Sequence, residues 1–299
     1  MSSNLAIVET PLQLMCAFEA LAEKHSSVIV LRLTGVGRND VHTQALADFL
    51  GLKCFMLKAP VRGGGARMIA SMWALRSLLF RQYDEIYLGS YFSRFIRLVA
   101  RFFRGEKFFL DDGVATLLSL KEMEKRGESH SIFTFFDITP LRNQTYVRHS
   151  FENLRRRFDI AEGGDCYFIG QPLPQKGLVG MDEYLNLVTK AADACDSVLY
   201  YIPHRVETDE LVEQVATLDR VSVMRMETAI EVELLRKGRS PRAIYASYST
   251  ALLTLSTLFP RATVVSLIPG SLTDCDDVPH IKEIQDAFRS FGRISLVRC

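Results

Sequence analysis

Short runs of apolar residues alternate with longer stretches of helical periodicity along the first half of the chain. Between the apolar runs, stretches such as "PLQLMCAFEALAEK" place apolar residues three and four positions apart, which is the spacing of an amphipathic helix. Alternating strands and helices predict repeated βα units that form a parallel sheet covered on both faces. The apolar runs themselves predict five strands, "LAIVET", "SVIVLRL", "KCFMLKAP", "EIYLGS" and "KFFLDDG".

The alternation stops between about residues 120 and 165 and then starts again. A chain of 299 residues is long for a single hydrophobic core. The sequence therefore predicts an α/β fold with two doubly wound Rossmann-like domains, residues 1–155 and 156–299, that face a cleft. The strands of the second domain are predicted from "CYFIGQPL", "SVLYYIPHR", "VSVMRM", "AIYASYS" and "ATVVSLIP".

Composition and charge exclude several classes of protein. Apolar residues make up 48% of the chain and charged residues 24%, which is typical of a folded domain rather than a disordered one. The net charge of +1 predicts no nucleic-acid partner. The six cysteines show neither a CxxC pair nor metal-ligand spacing, and this favours a reducing compartment. With no signal-peptide core and no apolar run of about 20 residues, we predict a cytoplasmic protein.

Two segments mix arginines with phenylalanines, "RLVARFFRGEK" and "VRHSFENLRRRF". One interpretation is a solvated helix face on which the arginine stems cover apolar surface. The other is a peripheral contact with an anionic membrane, which would place the protein at the inner face of the cytoplasmic membrane. Both interpretations stay open from the sequence.

Polar residues at the ends of predicted strands are the candidates for chemistry, because open parallel sheets bind ligands outside the carboxyl ends of their strands. Asp111 and Asp112 follow "KFFL", and Gly113 then allows a tight turn. A carboxylate here is well placed as a general base, although an aspartate in this position also commonly caps the following helix. Two aspartates allow one to cap and the other to project.

His204 and Arg205 follow the predicted strand "VLYYIP". Pro203 fixes the backbone before them, and a histidine beside an arginine suits an anionic leaving group. The alternative is a histidine whose ring is held by loop carbonyls. The other histidines have no comparable placement.

Ser249 and Thr250 stand between the strand "AIYAS" and an apolar helix. Hydroxyls and backbone N–H groups at a helix start bind phosphate well, but they also serve as ordinary N-caps. Glu231, in "ETAIEVELLRKG", is either a solvated helix residue or an acceptor for ribose hydroxyls. The glycines of "VRGGGAR" match neither GxGxxG nor GxxxxGK, and "TDCDD" predicts a turn. No DxD-like pair lies in a place that demands a metal, so we predict no metal site.

Taken in order, the Asp-Asp-Gly, "YIPHR" and "YSTALLTL" resemble the bacterial sialyltransferases, particularly the lipooligosaccharide sialyltransferase family (glycosyltransferase family 52). The stretches "VETPLQLMCAFEAL", "FIGQPLPQKG" and "IEVELLRKGRSPRAIYASYSTALL" extend the likeness over most of the chain. In many relatives a proline follows the histidine, whereas here Pro203 precedes His204.

The resemblance implies a GT-B fold and an inverting, metal-independent transfer from a CMP-activated sialic acid or related sugar acid to a glycan or glycolipid, such as lipooligosaccharide or capsule. The first domain would hold the acceptor and the base, and the second the CMP-sugar donor. No further cofactor is expected. The alternatives are a GT-B enzyme that uses another nucleotide sugar and a non-catalytic nucleotide-binding protein.

Individual roles follow from the same resemblance. Asp111 would be the base and Asp112 would orient its loop, or the two would exchange roles. His204 would hydrogen-bond the CMP phosphate, with Arg205 beside it. The remaining assignments are phosphate contacts for Ser249 and Thr250 and a ribose contact for Glu231.

Overall fold

The computed structural model describes residues 3–58, 69–71, 73–76, 83–272 and 279–299. The stretches "VRGGGAR" and "TDCDD" lie outside the described residues. The chain divides into two compact units, Met1–Arg157 and Phe158–Cys299. Each unit is a parallel sheet with helices, so the prediction of two Rossmann-like α/β domains is confirmed.

The sheet of the first unit has seven parallel strands in the order β3-β2-β1-β4-β5-β6-β7. Along the chain they are β1 (Asn4–Val8), β2 (Ser27–Leu33), β3 (Cys54–Lys58), β4 (Glu85–Leu88), β5 (Glu106–Leu110), β6 (Ser131–Thr134) and β7 (Tyr146–Arg148). The helices are α1 (Pro11–Leu21), α2 (Gly37–Phe49), α3 (Arg94–Phe102), α4 (Val114–Arg126) and α5 (Glu152–Phe158).

The central strands are continuous apolar runs because the sheet is covered on both faces. All five residues of β1 are buried. Helix α1 starts directly after this strand: Pro11 occupies its first turn, and the Thr10 hydroxyl accepts a hydrogen bond from the Gln13 N–H. Strands β6 and β7 lie where the sequence pattern is interrupted, and they were not predicted. They are short, and β7 is an edge strand.

The sheet of the second unit has six parallel strands in the order β10-β9-β8-β11-β12-β13. They are β8 (Cys166–Ile169), β9 (Leu199–Ile202), β10 (Val221–Val223), β11 (Ala243–Ala246), β12 (Thr263–Ile268) and β13 (Ser295–Arg298). The helices are α6 (Met181–Asp193), α7 (Asp209–Ala216), α8 (Ile230–Lys237), α9 (Ala251–Leu258) and α10 (Pro279–Phe291), with a 3-10 turn at Gly270–Leu272.

Both sheets reverse their winding direction at one point. In the first unit the chain starts at β1, winds outward to β3 and returns to place β4 on the other side of β1. In the second unit β8 and β11 are the corresponding pair. A crevice opens at the carboxyl ends of the strands at such a switch point, and ligands of doubly wound sheets bind there. The carboxyl ends of β1 and β4 and of β8 and β11 are therefore the expected ligand positions in this fold.

No helix in the described part of the chain is long and apolar enough to span a bilayer.

Candidate functional site

Asp111 lies inside the first unit, at the carboxyl end of β5. Its side chain is fully buried, and its carboxylate accepts hydrogen bonds from the Thr134 hydroxyl and, at 2.7 Å, from the Phe135 N–H. It therefore ties the end of β5 to the end of β6. A carboxylate in this position has a structural role, and its burial does not favour the base role that the resemblance suggested for it.

The buried His149 adjoins Asp111. Its ring stacks on Phe133 at 4.5 Å between centroids, and Nε2 lies 3.4 Å from Asp111 Oδ2. Within the described residues, Cys16, Asp111 and His149 form the one group of donors close enough to hold a metal ion, with ligand atoms within 4.8 Å of one another. Burial raises the pKa of the Cys16 thiol, which favours the neutral thiol over the thiolate that a metal requires.

Asp112 is the partly exposed aspartate of the pair. Its Oδ1 accepts a hydrogen bond from Gln13 Nε2 at 2.9 Å, and its backbone N–H donates to the Thr116 hydroxyl at 2.8 Å. Gly113 occupies the N-cap position of α4 with a φ of 65°, and α4 has no side-chain cap. Neither aspartate therefore caps the helix, and Asp112 is the carboxylate at the strand-end surface.

Gln13 positions Asp112 across the first switch point. Its amide is fully buried, and Oε1 accepts a hydrogen bond from the Glu9 N–H at 2.9 Å while Nε2 donates to Asp112. A Cβ at Gly89, just past β4, would overlap the Gln13 amide. The glycine therefore allows the glutamine to lie between β1, β4 and β5.

A buried ion pair lies at the same edge of the sheet, and sequence analysis missed it. Glu9 Oε1 accepts hydrogen bonds from the Arg32 guanidinium and from the Ser93 hydroxyl, the latter at 2.9 Å. Burial raises the pKa of the Glu9 carboxyl, and the Arg32 charge opposes that effect. The available signal was the placement of Glu9 directly after the apolar run "LAIV".

His204 is exposed just past β9 in the second unit. The Val206 N–H donates to its Nδ1 at 3.3 Å, so the neutral ring carries its proton on Nε2 and can donate it to an incoming oxygen. Partial loss of hydration and the charges of Arg205 and Lys176 lower the pKa of His204. At neutral pH the ring is a neutral donor.

Ser249 and Thr250 lie between β11 and α9, Ser249 half-buried and Thr250 exposed. Thr250 is the N-cap residue of α9, but its side chain makes no cap hydrogen bond. Instead, the Leu252 N–H donates to the Ser249 carbonyl and the Leu253 N–H donates to the Thr250 carbonyl. The ordinary N-cap interpretation is therefore not what the structure shows. In the described part of the chain, neither hydroxyl has a hydrogen-bond partner.

Gln171 closes the second switch point. It follows β8, and its side-chain carbonyl accepts hydrogen bonds from the Ser247 N–H at 3.1 Å and the Tyr248 N–H at 2.7 Å, just past β11. This contact links "GQPLP" to "YASYSTALL" and fixes the backbone that leads into Ser249. No role for Gln171 could be predicted from the sequence, because a partner 76 positions away cannot be identified from spacing alone.

A chain of hydrogen bonds connects the Gln171 backbone to the loop that carries His204. The Gln171 N–H donates to the Tyr184 oxygen at 2.8 Å, the two buried hydroxyls of Tyr184 and Tyr201 are 3.0 Å apart, and Tyr201 donates to Glu207 Oε2 at 2.9 Å. Burial raises the pKa of Glu207 to about 7. The other carboxyl oxygen, Oε1, is buried without a partner in the described structure.

Glu231 occupies the first turn of α8, where it is half-buried, and burial raises the pKa of its carboxyl. Helix α8 packs against α9, and both helices start at the carboxyl edge of the same parallel sheet. The structure therefore places Glu231 at the edge that also carries Ser249, Thr250 and His204.

No protein-family model matches the chain, and no curated protein matches it in sequence. Solved structures match its fold. The UDP-GlcNAc 2-epimerase from Neisseria meningitidis bound to UDP-GlcNAc has a TM-score of 0.58 at 10% identity, over 99% of this chain and 87% of that one. The spinosyn forosaminyltransferase SpnP has a TM-score of 0.56 at 11% identity, over 99% of this chain and 85% of that one. The E. coli heptosyltransferase WaaC with ADP has a TM-score of 0.53 at 11% identity, over 99% of this chain and 93% of that one.

The chain has the GT-B fold. These superpositions cover almost the whole chain, so the fold that the sialyltransferase resemblance implied is confirmed. At such low identity the likeness concerns the fold alone.

Proposed function

We propose that this GT-B chain is a sialyltransferase-like enzyme. It moves sialic acid or a related sugar acid from a CMP-activated donor to a hydroxyl of a surface glycan such as lipooligosaccharide or capsule, with inversion and without a metal. The observation that carries the proposal is the turn of residues 247–250, at the switch point of the second unit. In the described part of the chain the hydroxyls of Ser249 and Thr250 have no hydrogen-bond partner, and they precede the start of α9, which is the arrangement that suits a phosphate.

The donor phosphate would bind on the second unit. The Ala251 N–H at the start of α9 and the hydroxyls of Ser249 and Thr250 would donate to its oxygens, and His204 Nε2–H would add a donor from the neighbouring strand end. Negative charge that builds on the phosphate as the glycosidic bond breaks is then met by fixed dipoles. Glu231 is the proposed acceptor for the ribose hydroxyls, and Arg205 adds positive charge beside the imidazole.

Asp112 is the base in this proposal, and Asp111 holds the loop. The acceptor oxygen forms a bond to the anomeric carbon on the face opposite CMP, the carbon–oxygen bond to CMP breaks, and its electron pair leaves with the phosphate. The acceptor proton passes to the Asp112 carboxylate. The partly exposed Asp112 suits this step better than Asp111, which is buried and already accepts two hydrogen bonds.

A second candidate is a GT-B enzyme with a different nucleotide sugar. It is favoured by the solved structures of similar fold, two of which hold UDP-GlcNAc and ADP. The phosphate contacts would be the same, and only the pocket for the base would differ. A nucleotide-binding protein without catalysis is the third candidate.

Thermal stability of the whole chain with CMP, UDP, GDP and ADP in parallel separates the candidates, because a ligand stabilises the fold that binds it. A selective rise with CMP, reduced in Ser249→Ala/Thr250→Ala, supports the proposal and leads to assays with CMP-sugar acids in EDTA. A rise only with UDP, GDP or ADP supports the second candidate. CMP binding without transfer or donor hydrolysis supports the third, and no rise with any nucleotide overturns all three.

A further inference from the structure

A basic groove runs along the outer surface of the first unit, between α3 and the end of α4. It encloses about 540 Å³. Four arginines and one glutamate are the charged residues of its lining. His130 also lines it, and burial lowers the pKa of this histidine. The charged side chains that line it are Arg94, Arg97, Arg101, Arg126 and Glu128.

The charges of this groove are poorly neutralised within the protein. Arg94 and Arg101 are exposed and make no ion pair in the described part of the chain. The carboxylate of Glu128 is already engaged, since it accepts a hydrogen bond from the Tyr91 hydroxyl at 2.6 Å and lies 3.4 Å from His130. An excess of positive charge therefore faces solvent along α3.

The second basic segment is different. Arg148 pairs with Asp137 at 3.2 Å, and Arg156 pairs with Glu152 at 2.5 Å. Arg157 donates to the Leu50 carbonyl at 2.9 Å. For this segment the contacts favour the structural interpretation, in which the arginines belong to the protein's own surface.

Exposed aromatic residues border the groove. Phe102 ends α3 and is 66% exposed, and Phe92, just before α3, is 45% exposed. Aromatic side chains that flank a basic strip are typical of surfaces that rest at the headgroup level of a bilayer.

We propose that the first unit docks on an anionic membrane surface through α3. Arg94, Arg97 and Arg101 contact lipid phosphates, and Phe102 inserts beside them into the headgroup layer. Charge complementarity commits the surface to anionic lipid. Arg126 pairs with Glu122 at 2.6 Å, but the three arginines of α3 have no carboxylate partner in the described part of the chain. The exposed aromatic side chains beside them favour the headgroup layer of a bilayer over a free anion in water. The inference does not depend on the proposed reaction, because none of these side chains belongs to the proposed donor or acceptor contacts.

Flotation of the purified full chain with vesicles tests the proposal. We expect partition onto phosphatidylglycerol–phosphatidylcholine vesicles at low salt, weaker partition at high salt, and little onto pure phosphatidylcholine. The variant Arg94→Gln/Arg101→Gln should lose about 25-fold in partition, at about fivefold for each arginine near the surface. Phe102→Ser should also reduce it while keeping the salt dependence.

The matched control is Arg148→Gln/Arg156→Gln, which removes the same charge from the paired segment and should float like the unmodified chain. Circular dichroism and melting temperature of each variant exclude a folding defect. Equal losses in both double variants would overturn the assignment to α3, because net charge alone would then explain binding. No binding to anionic vesicles at low salt, or equal binding to neutral ones, would overturn membrane docking altogether.

Discussion

Replacing Glu207 by glutamine should change how the stability of the second unit depends on pH. In the native structure the Glu207 carboxyl accepts a hydrogen bond from Tyr201, and its second oxygen is buried without a partner. A Cβ placed on Gly170 would lie 2.5 Å from that oxygen, so the site is tightly enclosed. Burial disfavours the charged form, and the pKa rises from 4.5 to about 7.

The sign and size of this pH dependence of stability follow from the difference between the pKa of Glu207 in the native and in the unfolded state. Between about pH 4.5 and 7 the native state holds a proton on Glu207 that the unfolded chain has released, so stability falls as pH rises through this window. A difference of roughly 2.5 pKa units corresponds to about 3 kcal/mol at 1.36 kcal/mol per unit, fully lost above about pH 7. Glutamine resembles the protonated carboxyl and does not titrate. The variant should therefore gain on the unmodified chain by about 2.5 kcal/mol between pH 5 and 8, because a small part of the effect is already lost at pH 5.

Native-state hydrogen exchange at the amides of β8 and β9 is the appropriate assay, because a chain of two units need not unfold in a single step. Glu210→Gln is the matched control: this glutamate lies exposed on α7, a few residues away. A Glu207→Gln variant whose stability relative to the unmodified chain stays constant from pH 5 to 8 would refute the argument. So would an equal response from the control.

Four further substitutions test the two switch points. Asp112→Asn should lower transfer by about 10²–10⁴-fold with nucleotide binding unchanged, whereas Asp111→Asn should mainly lower the melting temperature; normal transfer by the Asp112 variant would contradict the proposed base. Gln171→Ala leaves two backbone N–H groups unpaired and should cost about 2 kcal/mol or more while weakening nucleotide binding, as read by calorimetry; unchanged binding would show that the turn holds its shape without Gln171. Gly89→Ala should cost about 1–3 kcal/mol in urea unfolding, because the new methyl group displaces the buried Gln13 amide, and an unchanged midpoint would contradict that packing.

Much of the fold could be predicted from the chain itself. Buried parallel strands are continuous apolar runs, and the helices between them keep a helical period, so ten of the thirteen strands were expected in sequence order. The missed strands, β6, β7 and β13, are short, and two of them form edges of their sheets, where the apolar signal is weak. Because ligands bind at the carboxyl ends of parallel strands, the sequence pattern alone also predicts candidate site residues, although it does not choose between Asp111 and Asp112; the others are His204, Arg205, Ser249 and Thr250.

The sequence by itself determined which polar residues follow strands, because strand and helix periods are local properties. The tertiary structure decided which of these residues are exposed and what holds them. Gln13 and Asp112 are 99 positions apart, and Gln171 and Tyr248 are 77 apart, yet each pair shares a hydrogen bond across a switch point. Asp111 and Asp112 are adjacent in the chain, but successive residues at a strand end point in opposite directions, so one is buried and the other reaches the surface. Burial, charge pairing and the contacts between distant residues across a sheet depend on the topology of the fold, and no local pattern of residues contains that information.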